Sequence, residues 1–401
     1  MTTPEPRSNS LPPTVKALGW TSFFTDMSSE AIYPLLPAFL LRELGGSSMS
    51  VGLIDGVANA VAAVVRLSAG QISDAVGRRP LVLLGYGLSA IIRPLMGLVA
   101  SPAGALVVRA ADRLGKGIRS GPRDALVADM VEPAARGRAF GHIRGMDHAG
   151  AALGPLAAML FLLAFPGRER LLFLLAVLPG LVTLAVIWKF VHDVPVRPPV
   201  AARAALAPRL SAPQATLLGC VGVWSLGAAS EQFLLMRAAD VGVPAALVPL
   251  VWLGMSLAKS GTATAAGRLA DGWHPRAALA LGWLVFAVAY AALAATSTLW
   301  AALPLIMTVG IGYGLSEPAE RALVSLLASE GRQGNAFGWY TLVQGLMALP
   351  AGLLAGWLWQ QGPHGPQRAF AATAALAATA CLALAAFVRG PAVDCRHPDG
   401  G

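Results

Sequence analysis

The sequence is short of charge. Only 13% of its 401 residues are Asp, Glu, Lys or Arg, against about 25% in an ordinary soluble domain. A water-soluble chain of this length would need far more polar surface. Cysteine is scarce too. Cys220, Cys381 and Cys395 are odd in number and widely spaced, which argues against a disulfide framework or a metal site. There is no His-Glu-x-x-His run, no nucleophile elbow and no cysteine–histidine ligand spacing, so neither an enzyme nor a resident metal or cofactor is expected. "RLGKG" (113–117) lacks the spacing of a phosphate-binding loop, so no ATP-driven engine is encoded. The polar, Pro-rich start, "MTTPEPRSNSLPPT", has no apolar h-region of a cleavable signal.

What the chain has instead is hydrocarbon. Hydrophobic residues make up 56%, and the net charge is +9. A bilayer crossing needs about 20 mainly apolar residues. Twelve such runs are found, at 15–41, 49–72, 80–100, 103–128, 139–165, 169–192, 214–237, 245–268, 277–297, 300–327, 335–360 and 367–388. Most arginines sit in short loops between runs, the positive-inside pattern and not the footprint of a nucleic-acid binder. With the N-terminus inside, fourteen Lys/Arg residues fall on the inner side, from Arg7 to Arg396. Only Arg42, Arg168, Arg170, Arg237 and Arg368 fall outside. Both termini are therefore expected in the cytoplasm, in an inner membrane. Residues 193–213 carry five prolines and three arginines and read as a cytoplasmic linker. The expected organisation is a tail (1–14), a six-helix half (15–192), the linker, a second half (214–388) and a tail (389–401).

The halves repeat. At a shift of 197, Gly70 meets Gly267, Asp74 meets Asp271 and Arg79 meets Arg276. Gly85, Gly115 and Gly117 meet Gly282, Gly312 and Gly314, and "GRAFG" (137–141) meets "GNAFG" (334–338). Composition bias would not align Asp74, Arg79 and Phe140. Two six-helix halves in one orientation imply a pseudo-two-fold axis along the membrane normal, with a central site near the midplane.

"GQISDAVGRRP" (70–80) resembles the loop motif of the major facilitator superfamily, with Gly70, Asp74, Gly77, Arg78 and Arg79 in place. Arg109 and Gly115 match part of a second motif, at the start of span four. "GAALGP" (150–155), with Gly150, Gly154 and Pro155, is similar to the antiporter motif of span five, although the glycines that should follow are absent. "YPLLP" (33–37) resembles the start of exporters of drugs and metabolites. The resemblance implies an all-α, twelve-span fold of two pseudo-symmetric halves. It also implies a cytoplasmic gate in which Asp74 meets the other half and Arg78 pairs with Asp129 or Asp124. Ordinary positive-inside anchoring is the plainer account of the same charges.

Span four is the weakest by hydropathy. Arg109, Asp112, Lys116, Arg119 and Arg123 are spaced +3, +4, +3, +4. With Arg113 and Asp124 they fall within roughly 140° of arc at 100° per residue. Each would cost about 3 kcal/mol facing lipid at the midplane, so this wall must face protein or water. One reading is structural: Asp112 bridges Arg109 and Lys116, while Arg119 and Arg123 neutralise acids such as Asp26, Glu30, Asp55 and Asp147. The other is that Arg109, Arg113 or Lys116 meets an anionic substrate. Arg119, Arg123 and Asp124 lie nearer the inner end, where gate residues belong.

Asp26 and Glu30 share one face of span one. Burial favours the protonated carboxyl and a nearby arginine favours the ionised one, an alternation suited to proton coupling; a permanent salt bridge to span four is the alternative. Glu231 occupies the corresponding place in span seven and Lys259 lies in span eight, where the two can pair. Glu317, Glu320 and Arg321 form a smaller counterpart of the span-four wall, and Glu231 and Glu317 are the second half's candidates for substrate contact. The expectation is a monomeric secondary transporter in the lipid bilayer, moving a small anionic organic solute by alternating access, with protons as the coupled ion. A proton-driven multidrug exporter and a carrier-fold sensor are the alternatives.

Overall fold

The computed structural model describes residues 11–132, 135–193, 210–228, 230–269, 275–328 and 333–388; side chains at 70, 71, 74, 75, 137, 264–269, 333 and 334 are outside it. Residues 1–10 of the first tail, the second tail, most of the linker and Asp271 of the repeated loop thus lie outside the described residues. Those described form helices and turns, with no strand among them.

The helices fall into twelve rods. Span one is three pieces, Pro13–Ile32, a 3-10 turn at Tyr33–Leu35 and Leu36–Arg42. Pro34 and Pro37 each remove an N–H donor, so the expected continuous helix is interrupted there. Span two is Ser48–Val76. Span three is Arg78–Ile92 with a 3-10 end at Arg93–Leu98. Spans four and five are Pro102–Met130 and Arg136–Ala164, and span six is Glu169–Leu175 with Val177–Phe190. Span seven is broken into Ala212–Gly227 and Gln232–Asp240. Spans eight to twelve are Val248–Leu269, Pro275–Ala295, Leu299–Leu327, Gln333–Trp359 and Gly365–Phe387. The second half starts slightly earlier than its apolar run, because Ser211 and Gln214 form a reciprocal cap on span seven. Among the described residues, nine candidate spans are long and apolar enough to cross a bilayer. Span four does not meet that test, because five of its charges fall between Arg109 and Arg119.

The repeat seen in the sequence is a repeat of contacts. A Cβ added at Gly85 would meet the Gly115 carbonyl and Arg119; one added at Gly282 would meet the Gly312 carbonyl and Ser316. Gly117 lies against Ala62 and Val65 of span two, and Gly314 lies against Lys259 and Thr262 of span eight. Every one of these pairs is related by the same shift of 197. Glycine lets backbones approach where lipid supplies no hydrophobic drive between helices.

Between the halves, span two packs along span eleven and span five along span eight. Gly52 faces Gly352 backbone to backbone, and the Ser48 hydroxyl donates to the Gly356 carbonyl at 3.0 Å. These contacts lie at the end opposite the chain termini. Toward the terminal end, charged side chains of the interior become exposed: Arg66 (47%), Arg144 (56%) and Arg321 (50%).

Candidate functional site

Spans one, three and four enclose a polar pocket lined by Asp26, Glu30, Arg109, Arg113, Lys116 and Arg119. Its floor is a buried ion network. Asp112 takes Arg93 of span three at 3.0 Å on one carboxylate oxygen and Arg109 at 3.5 Å on the other. Arg93 also donates to the Thr25 carbonyl at 3.0 Å. Arg109 lies 3.8 Å from Asp55 of span two, and its guanidinium sits 5.0 Å from the Tyr33 ring centre. Asp55 in turn accepts from Asn59 at 3.1 Å and from Ser230 of the other half at 2.7 Å.

The expected bridge from Asp112 to Lys116 is not what forms. Arg93, 6% exposed, takes the carboxylate, because span three brings its guanidinium within 3.0 Å of it. Lys116 is exposed. Arg119 has no carboxylate within 4.0 Å among the described residues. It donates to the Ser89 hydroxyl at 2.7 Å and stacks over Tyr86 at 4.5 Å, the groups that span three offers at that depth. Arg123 behaves as expected of a neutralising cation, with Asp124 at 3.0 Å and Asp147 at 3.7 Å.

Three charged groups of the pocket are left over. Neither Arg113 nor Lys116 has a carboxylate within 4.0 Å among the described residues, and the Asp26 carboxylate has no hydrogen bond or ion pair there either. Glu30 is engaged differently: it accepts from Trp252 of span eight at 2.8 Å and from Ser29 at 3.4 Å, and so ties span one to the other half. Gln232 of span seven adds a bond to the Tyr33 carbonyl at 3.2 Å.

In the second half, Lys259 lies 4.0 Å from Glu231 and 3.6 Å from Glu317, and Glu317 is bridged to Arg321 at 2.8 Å. The two carboxylates assigned from sequence to substrate thus share one lysine. His148 of span five lies 3.4 Å from the Ser260 hydroxyl across the boundary between halves.

At the terminal end, Arg78 reaches Asp129 at 3.3 Å and Ser73 at 2.6 Å. Asp124 pairs instead with Arg66 and Arg123. Gly77 has φ of +94°, a conformation that disfavours any side chain there. Arg79 donates to the carbonyls of Val191 at 2.7 Å and Trp188 at 3.3 Å, which joins the loop to the end of span six. Of the other expected gate residues, Gly70 and Asp74 have helical backbone, and the Asp74 side chain lies outside the described residues. Gly150 and Gly154 lie against the backbone of Phe23, Met27 and Ala31, so the stretch that ends at Pro155 seats span five on span one.

From sequence, Asp55 is only one acid among several to be neutralised, and Ser230, Gln232 and Trp252 are not singled out. Their signal was weak, because each is an ordinary polar or aromatic residue until a second helix is brought against it.

The Major Facilitator Superfamily profile matches residues 18–352. An uncharacterized MFS-type transporter of Methanocaldococcus jannaschii is 31% identical over 359 residues, 87% of this chain and 89% of that one. The multidrug resistance protein MdtH of Yersinia pestis is 30% identical over 125 residues, 31% of each chain. In three dimensions the nucleoside transporter NupG is similar with a TM-score of 0.78, over 93% of this chain and 99% of that one, at 13% identity. The twelve-rod repeat, the profile and a relative matched over most of both lengths give one answer: the chain belongs to the Major Facilitator Superfamily.

Proposed function

We propose that the protein is a secondary transporter that carries a small organic anion across an inner membrane by alternating access, with both termini in the cytoplasm and protons as the coupled ion. The observation that carries the reading is the pair of cations, Arg113 and Lys116, that face the pocket with no carboxylate within 4.0 Å among the described residues. Around them the first half places eight interior cations, Arg66, Arg93, Arg109, Arg113, Lys116, Arg119, Arg123 and Arg144. Among the described interior side chains, six carboxylates stand against them: Asp26, Glu30, Asp55, Asp112, Asp124 and Asp147. An Arg and a Lys one helical turn apart suit a carboxylate or phosphate, through a planar fork and a point charge. Arg109, held by two carboxylates, positions the wall. Asp26 and Glu30 are the carboxylates that can exchange protons beside it. Arg78, Asp129 and the glycine loop around Gly77 form the gate at the terminal end.

Ligand-induced thermal stabilisation of the purified protein tests this. Organic carboxylates or phosphates are expected to raise the unfolding temperature. Arg113→Gln and Lys116→Gln are each expected to weaken that binding about 10- to 100-fold, the loss of one charge-assisted hydrogen bond of about 1.5–3 kcal/mol. Stabilisation by lipophilic cations alone would overturn it. That second reading, a multidrug exporter, has one observation in its favour, the unpaired Asp26, together with the partial likeness to MdtH.

A further inference from the structure

The shift of 197 lays Arg123 on Glu320, Asp147 on Gln344, Tyr86 on Trp283 and Ile143 on Tyr340. In the first half these positions hold an ion-paired cluster, with Arg123 between Asp147 and Ser22. In the second half they hold a lone carboxylate. Glu320 accepts from Trp283 Nε1 at 3.0 Å on one oxygen. On the other it accepts from the Tyr340 hydroxyl at 2.6 Å and from Gln344 Nε2 at 3.1 Å. Gln344 Nε2 is also 2.9 Å from the Tyr340 oxygen. Glu320 is 1% exposed, every donor to it is neutral, and no cation lies within 4.0 Å among the described residues.

The charged groups on the surrounding elements are committed elsewhere. On its own span, Glu317 and Arg321 hold each other at 2.8 Å. Lys259 of span eight serves Glu317 and Glu231. Arg237 of span seven donates to the Thr296 carbonyl, and Arg276 at the start of span nine donates to the Ala385 carbonyl at 2.6 Å. Span nine otherwise turns Trp283 this way, and span eleven turns Tyr340.

A salt-bridged carboxylate loses its partner's neutralisation when it takes a proton. This one does not, since it has no cation to lose. Ionised, Glu320 accepts three hydrogen bonds. Protonated, the new O–H donates to the Tyr340 oxygen once that hydroxyl rotates, and Trp283 still donates to the other oxygen. The heavy atoms need not move, and the neutral form avoids the cost of an uncompensated charge away from water. We infer that Glu320 is a proton-binding site of the second half, with Tyr340 and Gln344 positioning the proton. It is separate from the span-one carboxylates on which the proposed coupling otherwise depends. The step is a simple association: a proton leaves hydronium or water and forms an O–H bond on one Glu320 oxygen. The inference rests on the proposed function only in that a proton moves during transport.

Infrared difference spectroscopy of the purified full-length protein, taken from alkaline to acidic buffer, tests the site with protons as the only ligand. The wild type is expected to gain a carboxylic-acid carbonyl band as the buffer is acidified. Glu320→Gln is expected to lose one component of that band, and Tyr340→Phe to shift the same component by removing its hydrogen-bond partner. Asp26→Asn and Glu30→Gln should leave that component in place. A spectrum unchanged in Glu320→Gln would overturn the inference. Should that variant fail to fold, an unshifted band in Tyr340→Phe would do the same. No substrate enters the measurement, so a failed search for an organic anion leaves it standing, and an unchanged spectrum leaves the anion reading standing.

Discussion

Asp112 holds two guanidinium groups at once, Arg93 and Arg109, with all three side chains under 10% exposed. Removing one partner of such a pair leaves a buried charge uncompensated, at a cost of about 3–5 kcal/mol. Asp112→Asn is therefore expected to lower the thermal unfolding temperature by a corresponding amount. Lys116→Gln, at an exposed and unpaired position, should stay within about 0.5 kcal/mol of wild type. Equal losses in the two variants, measured by calorimetry or tryptophan fluorescence in detergent, would contradict this division of the wall into fixed and free charges. The wall itself is legible in the +3, +4 spacing of span four. The partners are not: the same stripe is compatible with Asp112 serving Lys116 or Arg93, and only the approach of span three selects Arg93.

The elements are placed by small residues more than by large ones. A Cβ on Gly115 would lie 2.7 Å from the Gly85 carbonyl oxygen and 2.8 Å from the Ser89 hydroxyl. Gly115→Ala must push spans three and four apart, and overpacking of this kind costs about 1–3 kcal/mol. Gly312→Ala, whose nearest neighbours lie at 3.1 Å, is expected to lose less. Gly145→Ala meets nothing within 4 Å and should be neutral or gain up to about 1 kcal/mol from helix propensity. The order of unfolding temperatures, 115 below 312 below 145, checks the argument, and any other order rejects it. The repeated glycines are readable along the chain at a fixed shift. The break in span seven between Gly227 and Gln232 is not, because no proline marks it.

At the scale of the whole molecule, the two halves are clasped at one end. Glu30 to Trp252, Asp55 to Ser230, Tyr33 to Gln232 and Ser48 to Gly356 all cross between them. Two of these four are made by carboxylates of the candidate site, so the clasp and the site share the same groups. The charged interior is exposed at the terminal end instead. With cytoplasmic termini, a cysteine replacing Arg144 or Arg321 in a chain otherwise lacking cysteine should react with an impermeant maleimide in inside-out vesicles and stay protected in intact cells. Cysteines at Gly52 or Gly352, packed backbone to backbone, should resist from both sides. Labelling of residue 144 or 321 from outside the cell would reverse either the orientation or the open end.

The sequence by itself determined the membrane environment, the twelve spans, the repeat and the cation-rich wall, because each is a matter of composition or of periodicity along one chain. The tertiary structure decided which charges are spent and which remain. Arg93 meets Asp112 across 19 residues and Trp252 meets Glu30 across 222. The Glu320 cradle joins three helices, and among the described residues none brings a cation within 4.0 Å of it. Neutralisation is a property of distance in space, and no local spacing records which helix a charged side chain will find beside it.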